Sequence, residues 1–150
     1  MTPDILSQIH QAAFSATRAW STDEFADLLT QKGVFSCGDH RSFVLIRVTL
    51  DEAEVLTLAT APDHQRQGLA RKTLAKAEQT AQKAGATHIF LEVAENNTAA
   101  RALYNGTRYV QVGRRPGYFL PKEGAAIAAI VLRKDLNTIC LLYTSPSPRD

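Results

Sequence analysis

Residues 55–85 constrain the fold more than any other stretch, because they spell a strand, a basic turn and an amphipathic helix in direct succession. The run Val55 to Thr60 is apolar and β-rich, and Ala61-Pro62-Asp63 stops it. Gln65-Arg66-Gln67-Gly68-Leu69-Ala70 follows, and the pattern predicts a helix opening near Gln67. Ala70, Leu74, Ala77, Ala81 and Ala84 then recur at steps of four and three as one buried stripe. Arg71, Lys72, Lys76, Gln79 and Lys83 occupy the other side, and Gly85 is placed to end the helix. The chain is read as α/β (α+β). The junction also carries chemistry. The first N–H groups of a helix lack intrahelical partners, and the helix dipole makes that end positive. Arg66 and Arg71 add charge, and Gly68 removes the side chain that would hold a ligand away from the backbone. The turn is suited to an anion, and a pyrophosphate fits it.

Composition narrows the setting. A chain of 150 residues with 45% hydrophobic and 21% charged residues is an ordinary globular domain with one sizeable core. A net charge of +2 gives no strong nucleic-acid signal. No apolar run approaches a membrane span and Met1 to His10 lacks the features of a signal peptide, so no membrane partner is expected and the cytoplasm is the expected compartment. Cys37, between Ser36 and Gly38, reads as a buried structural thiol, and with Cys140 it makes neither a disulfide framework nor a metal spacing. His10, His40, His64 and His88 are scattered, so no metal is expected.

The chain ends oddly. Cys140 to Asp150 has no amphipathic period and follows a natural strand end at Arg133-Lys134-Asp135-Leu136. It resembles a sequencing adapter translated in frame, so residues 1–136 read as one domain and 137–150 as a non-native tail, with the adapter at 140–150. Ile5, Ile9, Ala12, Ala13 and Phe14 mark an opening helix. Ser21 with Glu24 makes a capping box for a second helix that turns Phe25, Leu28 and Leu29 to the core and stops at Gly33. Val34 to Cys37 and Ser42 to Leu50 read as a hairpin around Gly38-Asp39-His40-Arg41, with a turn at Asp51-Glu52-Ala53. Ile89 to Val93 is a compact buried strand, Thr98 to Tyr104 a short helix, and Tyr109 to Arg114 and Ala126 to Leu132 the last strands.

Three side chains stand out in this frame. Glu92 interrupts an apolar strand, where a carboxylate is costly unless solvated or paired. It is a candidate general base, or else a solvent-facing strand end. Its place one strand after the anion-binding turn favours the first, because ligands of open α/β sheets bind beyond the carboxyl ends of neighbouring strands. Asn97 is most simply a helix N-cap, a role compatible with ligand contact. Tyr104 closes the short helix and taken alone is an amphipathic aromatic covering the sheet.

Leu58-Ala59-Thr60, Gln65-x-x-Gly68-x-Ala70, Leu91-Glu92-Val93, Asn97 and Ala102-Leu103-Tyr104, in this order and spacing, resemble the GNAT superfamily of N-acetyltransferases. Within it the chain is most similar to the RimI-type ribosomal-protein alanine N-acetyltransferases, from about Trp20 to Leu136. The resemblance implies the GNAT fold, a mixed and mostly antiparallel central sheet flanked by helices, with acetyl-CoA as co-substrate and no metal. It implies that the backbone of Leu58, Ala59 and Thr60 pairs with the pantetheine arm, and that Arg66, Gln67, Gly68, Leu69, Ala70 and Arg71 cradle the pyrophosphate. Asn97 matches the asparagine that contacts the cofactor near the thioester, Glu92 the proton acceptor and Tyr104 the proton donor, with backbone N–H groups around Ala59 and Thr60 for the oxyanion. The acceptor it implies is the α-amine of a protein or peptide N-terminus, with a ribosomal protein among the candidates. Such an amine, with a reference pKa near 8 against about 10.4 for lysine, is easier to deprotonate by roughly 3 kcal/mol. The alternatives are acetylation of a small amine or an aminoacyl-tRNA, and a non-catalytic acyl-CoA-binding regulator that has no need of Glu92 and Tyr104 together.

The chain departs from the family pattern in places. Thr60-Ala61 replaces the more usual Val-Asp, Arg108 stands where a glycine commonly precedes the aromatic Tyr109, and Gly106 comes early. Arg114-Arg115-Pro116-Gly117-Tyr118-Phe119 resembles the loop near the acceptor, and Ala128 replaces a frequent carboxylate. The first strand that usually precedes the opening helix is not evident, which points to a short N-terminus.

Overall fold

Pattern and caps produce the elements one at a time in the computed structural model, which describes residues 2–13, 21–119 and 126–136. The first helix, α1, is Pro3–Ala13. Ser21 then accepts from Glu24 N while the Glu24 side chain accepts from Ser21 N, the expected capping box of α2 (Thr22–Thr30). The hairpin β1 (Val34–Asp39) and β2 (Ser42–Thr49) is joined by His40 and Arg41. β3 is Glu52–Thr60, so the preceding turn is confined to Leu50 and Asp51, earlier than expected. After one 3-10 turn at Pro62–His64 comes α3 (Leu69–Lys83), with Gly68 as N-cap, two residues later than the pattern predicts. β4 (His88–Ala94), α4 (Thr98–Gly106), β5 (Val110–Phe119) and β6 (Ile127–Asp135) complete the order. Phe14, Trp20 and the tail from 137 lie outside the described residues.

The strands pair in the order β1-β2-β3-β4-β6-β5, and every pair is antiparallel except β3 with β4. Helices cover both faces. Leu74, Ala77 and Ala81 of α3 pack with Val44, Ile46, Ala53, Val55, Ile89, Leu91, Ile130 and Tyr104 on one face. Leu6 and Ile9 of α1 and Phe25 of α2 pack with Phe43, Leu45 and Ala59 on the other, with Leu28 and Leu29 partly buried beside them. Ala84, expected in the stripe of α3, is the exposed C-cap, because the helix has ended before its next turn could reach the sheet.

One irregularity shapes the centre of the sheet. Leu45 opposes Thr57 but its neighbour Ile46 opposes Val55, so Leu56 is an inserted residue, a β-bulge in β3. Before it Val55 faces α3; Leu56 and Thr57 then both face α1 and α2, Thr57 bonding to His10 Nε2 at 3.0 Å, and Leu58 returns to the α3 side. The bulge lies where β3 and β4 part. Their parallel pairing covers only Glu52–Glu54 against His88–Phe90, so Val55–Thr60 and Leu91–Ala94 run on without pairing to each other.

Other departures have local causes. β5 was expected to end at Arg114 and give way to a loop, but pairing with β6 carries it through Pro116 and Gly117 to Phe119. The register slips between Arg115 and Phe119, where Pro116 lacks an N–H and Gly117 takes φ +66°. β6 likewise runs past Leu132 to Asp135. Cys37 is half-buried instead of fully buried, its thiol 3.5 Å from Thr80 Oγ1. Arg108 takes φ +74°, a left-handed conformation that a glycine would adopt without strain. Gly106 is an ordinary helical residue, and a Cβ there would lie 3.1 Å from Arg71 Nη2.

Candidate active site

The split between β3 and β4 has two edges and a positively charged mouth. On the β3 side, Ala61 N–H donates to Arg41 O at 2.8 Å, which orients that residue's polar groups toward β2. Alternation along a strand then directs those of Ala59 to β2 and those of Leu58 and Thr60 into the gap. Thr60 O accepts from Gln65 Nε2 at 3.1 Å, outside any strand ladder, as that geometry requires. Of the three residues singled out from the sequence, Leu58 and Thr60 therefore present backbone donors and acceptors to the gap. Ala59 does not, which leaves Thr60 alone of the expected oxyanion pair.

At the mouth, Arg66 (φ +64°) and Gly68 (φ +76°) curl the chain into the start of α3. Lys72 N to Gly68 O is the first helical bond, at 3.2 Å, so the N–H groups of Leu69, Ala70 and Arg71 have no intrahelical acceptor, and among the described residues no side chain caps them. A Cβ added at Gly68 would meet nothing within 4 Å, so the space over the turn is open to a ligand. The residues present fit a phosphate group: exposed donors, an approachable backbone and the exposed Arg66 and Gln67. Arg71 leans toward Gly106 at the end of α4, which accounts for the early glycine.

Across the gap, Asn97 caps α4, its Oδ1 accepting from Ala100 N at 3.1 Å. Tyr104 projects from α4 into the α3-side core at 6% exposure, and burial pushes its hydroxyl up to about 12. The hydroxyl makes no hydrogen bond among the described residues. Its ring meets Tyr109 edge-on, with centroids 5.5 Å apart. Burial first, and the adjacent Glu78 carboxylate second, raise the Tyr109 hydroxyl still further. Tyr109 donates to Glu78 Oε2 at 2.9 Å and Lys134 to Glu78 Oε1 at 3.0 Å, a buried polar triad behind Tyr104.

Glu92 lies on the opposite face of β4 from Ile89, Leu91 and Val93, which belong to the α3-side core. Its side chain is 22% exposed, and Arg115 Nε stands 3.1 Å from Oε2. The pair satisfies distance but not alignment: Oε2 is sealed from solvent and accepts no hydrogen bond among the described residues. The rest of the Glu92 side chain borders a cavity of about 310 Å³ lined also by Arg47, Glu52, Glu54 and Phe90. Glu92 and Tyr104 thus lie on opposite sides of the sheet. Arg115 was not singled out from the sequence as a site residue, and its signal there is membership of the Arg114 to Phe119 segment that resembles the loop near the acceptor. Among the described residues no group of His, Cys, Asp and Glu is arranged to hold a metal, and no helix is long and apolar enough to cross a membrane.

The chain is similar to known proteins. The chain is 31% identical over 139 residues to the [ribosomal protein bS18]-alanine N-acetyltransferase of Escherichia coli K12, an alignment covering 87% of this chain and 90% of the relative. The crystal structure of the Escherichia coli ribosomal-protein-S18-alanine N-acetyltransferase superposes with a TM-score of 0.80 at 29% identity, covering 89% of this chain and 87% of that one. Arabidopsis thaliana NAA60, solved in complex with acetyl-CoA, has the same fold at 17% identity, with a TM-score of 0.77 over 90% of this chain and 93% of its own. The acetyltransferase (GNAT) family model matches residues 8–106. With the split sheet, the open helix N-terminus and this match together, the chain belongs to the acetyltransferase (GNAT) family and is an N-acetyltransferase of that type.

Proposed function

We propose that the protein transfers acetyl from acetyl-CoA to the α-amine of a protein N-terminus, with a ribosomal protein as the acceptor its relatives favour. The observation that carries this reading is the unpaired edge of β3, open beside the N-terminus of α3. Leu58 and Thr60 hold the pantetheine arm as a neighbouring strand would, and the turn from Arg66 to Arg71 holds the pyrophosphate. Asn97 has its Nδ2 donors uncommitted among the described residues and reaches the cofactor near the thioester. Acetyl-CoA supplies an activated acyl carbon. The rest falls to side chains. Glu92, on one face, takes the proton of the incoming ammonium, directly or through water. Tyr104, a phenol and so protonated at neutral pH, gives a proton to the departing sulfur from the other face. In this reading Thr60 N–H donates to the carbonyl oxygen as it gains charge. A ribosomal acceptor places the enzyme in the cytoplasm.

The test combines an acceptor panel with one substitution. Peptides differing at the first residue are incubated with acetyl-CoA and the chain cut after Leu136, and mass spectrometry locates the added acetyl group. Acetylation at the α-amine, strongest for alanine, is expected; modification of lysine or of small amines alone would reject the acceptor. Glu92→Gln is expected to lower kcat about 100-fold or more near neutral pH with little change in acetyl-CoA affinity. Full activity in that variant removes Glu92 from the mechanism.

A further inference from the structure

Arg114 and Arg115 are adjacent on β5, so their side chains leave opposite faces of the sheet, and each meets a carboxylate at the end of β4. The two pairings differ in quality. Arg114 holds Glu95 with two hydrogen bonds, Nε to Oε2 at 2.8 Å and Nη2 to Oε1 at 3.1 Å. Arg115 pairs with Ala129 of β6, and β6 separates β5 from β4, so its side chain must cross that strand to reach Glu92. It arrives with Nε 3.1 Å from Oε2 but out of line, and Oε2, covered in this conformation, keeps its lone pairs unsatisfied.

The asymmetry of exposure decides which partner can leave. The Arg115 side chain is 58% exposed, so its guanidinium returns to solvent with little desolvation cost, whereas Glu92 at 22% has nowhere to turn. The backbone beside Arg115 is also loosely registered, since the β5 to β6 ladder slips immediately after it. The cavity of about 310 Å³ before Glu92 is lined by Arg115 itself and gives a small cation a way in. An ammonium carries three donors on a freely rotating head, and can give Oε2 the aligned bond that a planar guanidinium reaching across a strand does not.

We infer that Arg115 is a latch on the acceptor site. It occupies the cationic position on Glu92 while no acceptor is bound, and the N-terminal ammonium of the acceptor displaces it. Arg115 thereby sets the apparent affinity for acceptor and penalises amines too weakly cationic to compete. This inference rests on the reading of Glu92 as the residue that receives the acceptor amine.

A peptide beginning with alanine is the probe, at saturating acetyl-CoA. Arg115→Gln is expected to lower the peptide KM about two- to five-fold, the range of a half-exposed ion pair, and to raise kcat/KM by the same factor. Arg115→Lys, which keeps the competing charge, should return KM toward the original value. A residue that merely positioned Glu92 would give the opposite result, with kcat/KM falling in Arg115→Gln, and that result or an unchanged KM overturns the latch. A second measurement needs no turnover. The Arg115 Nε–H resonance of ¹⁵N-labelled protein, assigned by its loss in Arg115→Gln, should move when the free-amine peptide is added and stay in place with the Nα-acetylated peptide. Equal response to both peptides, or to neither, also overturns it. Glu92→Gln separates the two layers: full activity there removes the base reading, whereas an inactive Glu92→Gln beside an unimproved Arg115→Gln removes the latch alone.

Discussion

Lys134→Met should destabilise the protein by about 2–3 kcal/mol, more than its position near the end of β6 suggests. The reason is Glu78, which α3 inserts into the core at 7% exposure. Its carboxylate has two donors, Lys134 Nζ at 3.0 Å and Tyr109 Oη at 2.9 Å, and the ammonium also lies 5.6 Å from the centre of the Tyr109 ring. The side chains of Lys134 and Glu78 are only 11% and 9% exposed, so removing the cation leaves a nearly buried carboxylate with one neutral donor. Breaking such a pair costs about 3–5 kcal/mol when burial is complete, and the remaining exposure and the Tyr109 bond reduce that here. Glu78→Leu should cost less, about 1–2 kcal/mol, because the freed lysine can extend to solvent and only the Tyr109 hydroxyl is orphaned. The double variant should cost about 1 kcal/mol, since no charge is left in the site, giving a coupling of about 2–4 kcal/mol between the two positions. Urea titration of the four proteins measures this, and the Tm of Lys134→Met should fall by about 10 °C. Single effects that add to within about 0.5 kcal/mol would refute the argument, because independent sites behave that way.

Three further outcomes are expected. Arg108→Gly should stabilise the fold by about 0.5–1 kcal/mol, since φ +74° strains any residue with a Cβ, and a loss of stability on thermal melting would show that the arginine side chain outweighs the backbone. Gly68→Val should raise the acetyl-CoA Kd at least about tenfold by filling the space over the turn, at a folding cost of about 1–2 kcal/mol, and unchanged affinity by calorimetry would reject the phosphate cradle. The third concerns alkaline pH. Tyr104 titrates near 12 in the fold against 10.0 when unperturbed, so the stability it confers is fully present below pH 10 and lost as pH rises toward 12. The Tm of Tyr104→Phe should therefore fall less steeply than that of the parent over that range, and parallel curves would contradict the shift.

What the sequence determined by itself is local. The capping box at Ser21 and Glu24, the N-cap at Asn97 and the stripe through Leu74, Ala77 and Ala81 all depend on residues three or four apart, so pattern reveals them. The order of strand, turn and helix around Gln65 to Ala70 follows from the same short-range rules, and with it the half of the site that suits a cofactor. The tertiary structure decided what depends on register between distant strands. Leu56 reads like its neighbours in the sequence, yet it becomes the bulge because Leu45 and Ile46 pair two residues apart on β3. Glu78 looks like one more polar residue on α3 until Tyr109 and Lys134 arrive from β5 and β6 to bury it. Arg115 meets Glu92 only because β6 inserts between β4 and β5, which places their side chains on one face within a side chain's reach. Hydrogen bonds and caps between near neighbours are encoded where they occur, whereas a charge pair across a sheet exists only after the topology has chosen which strands are neighbours.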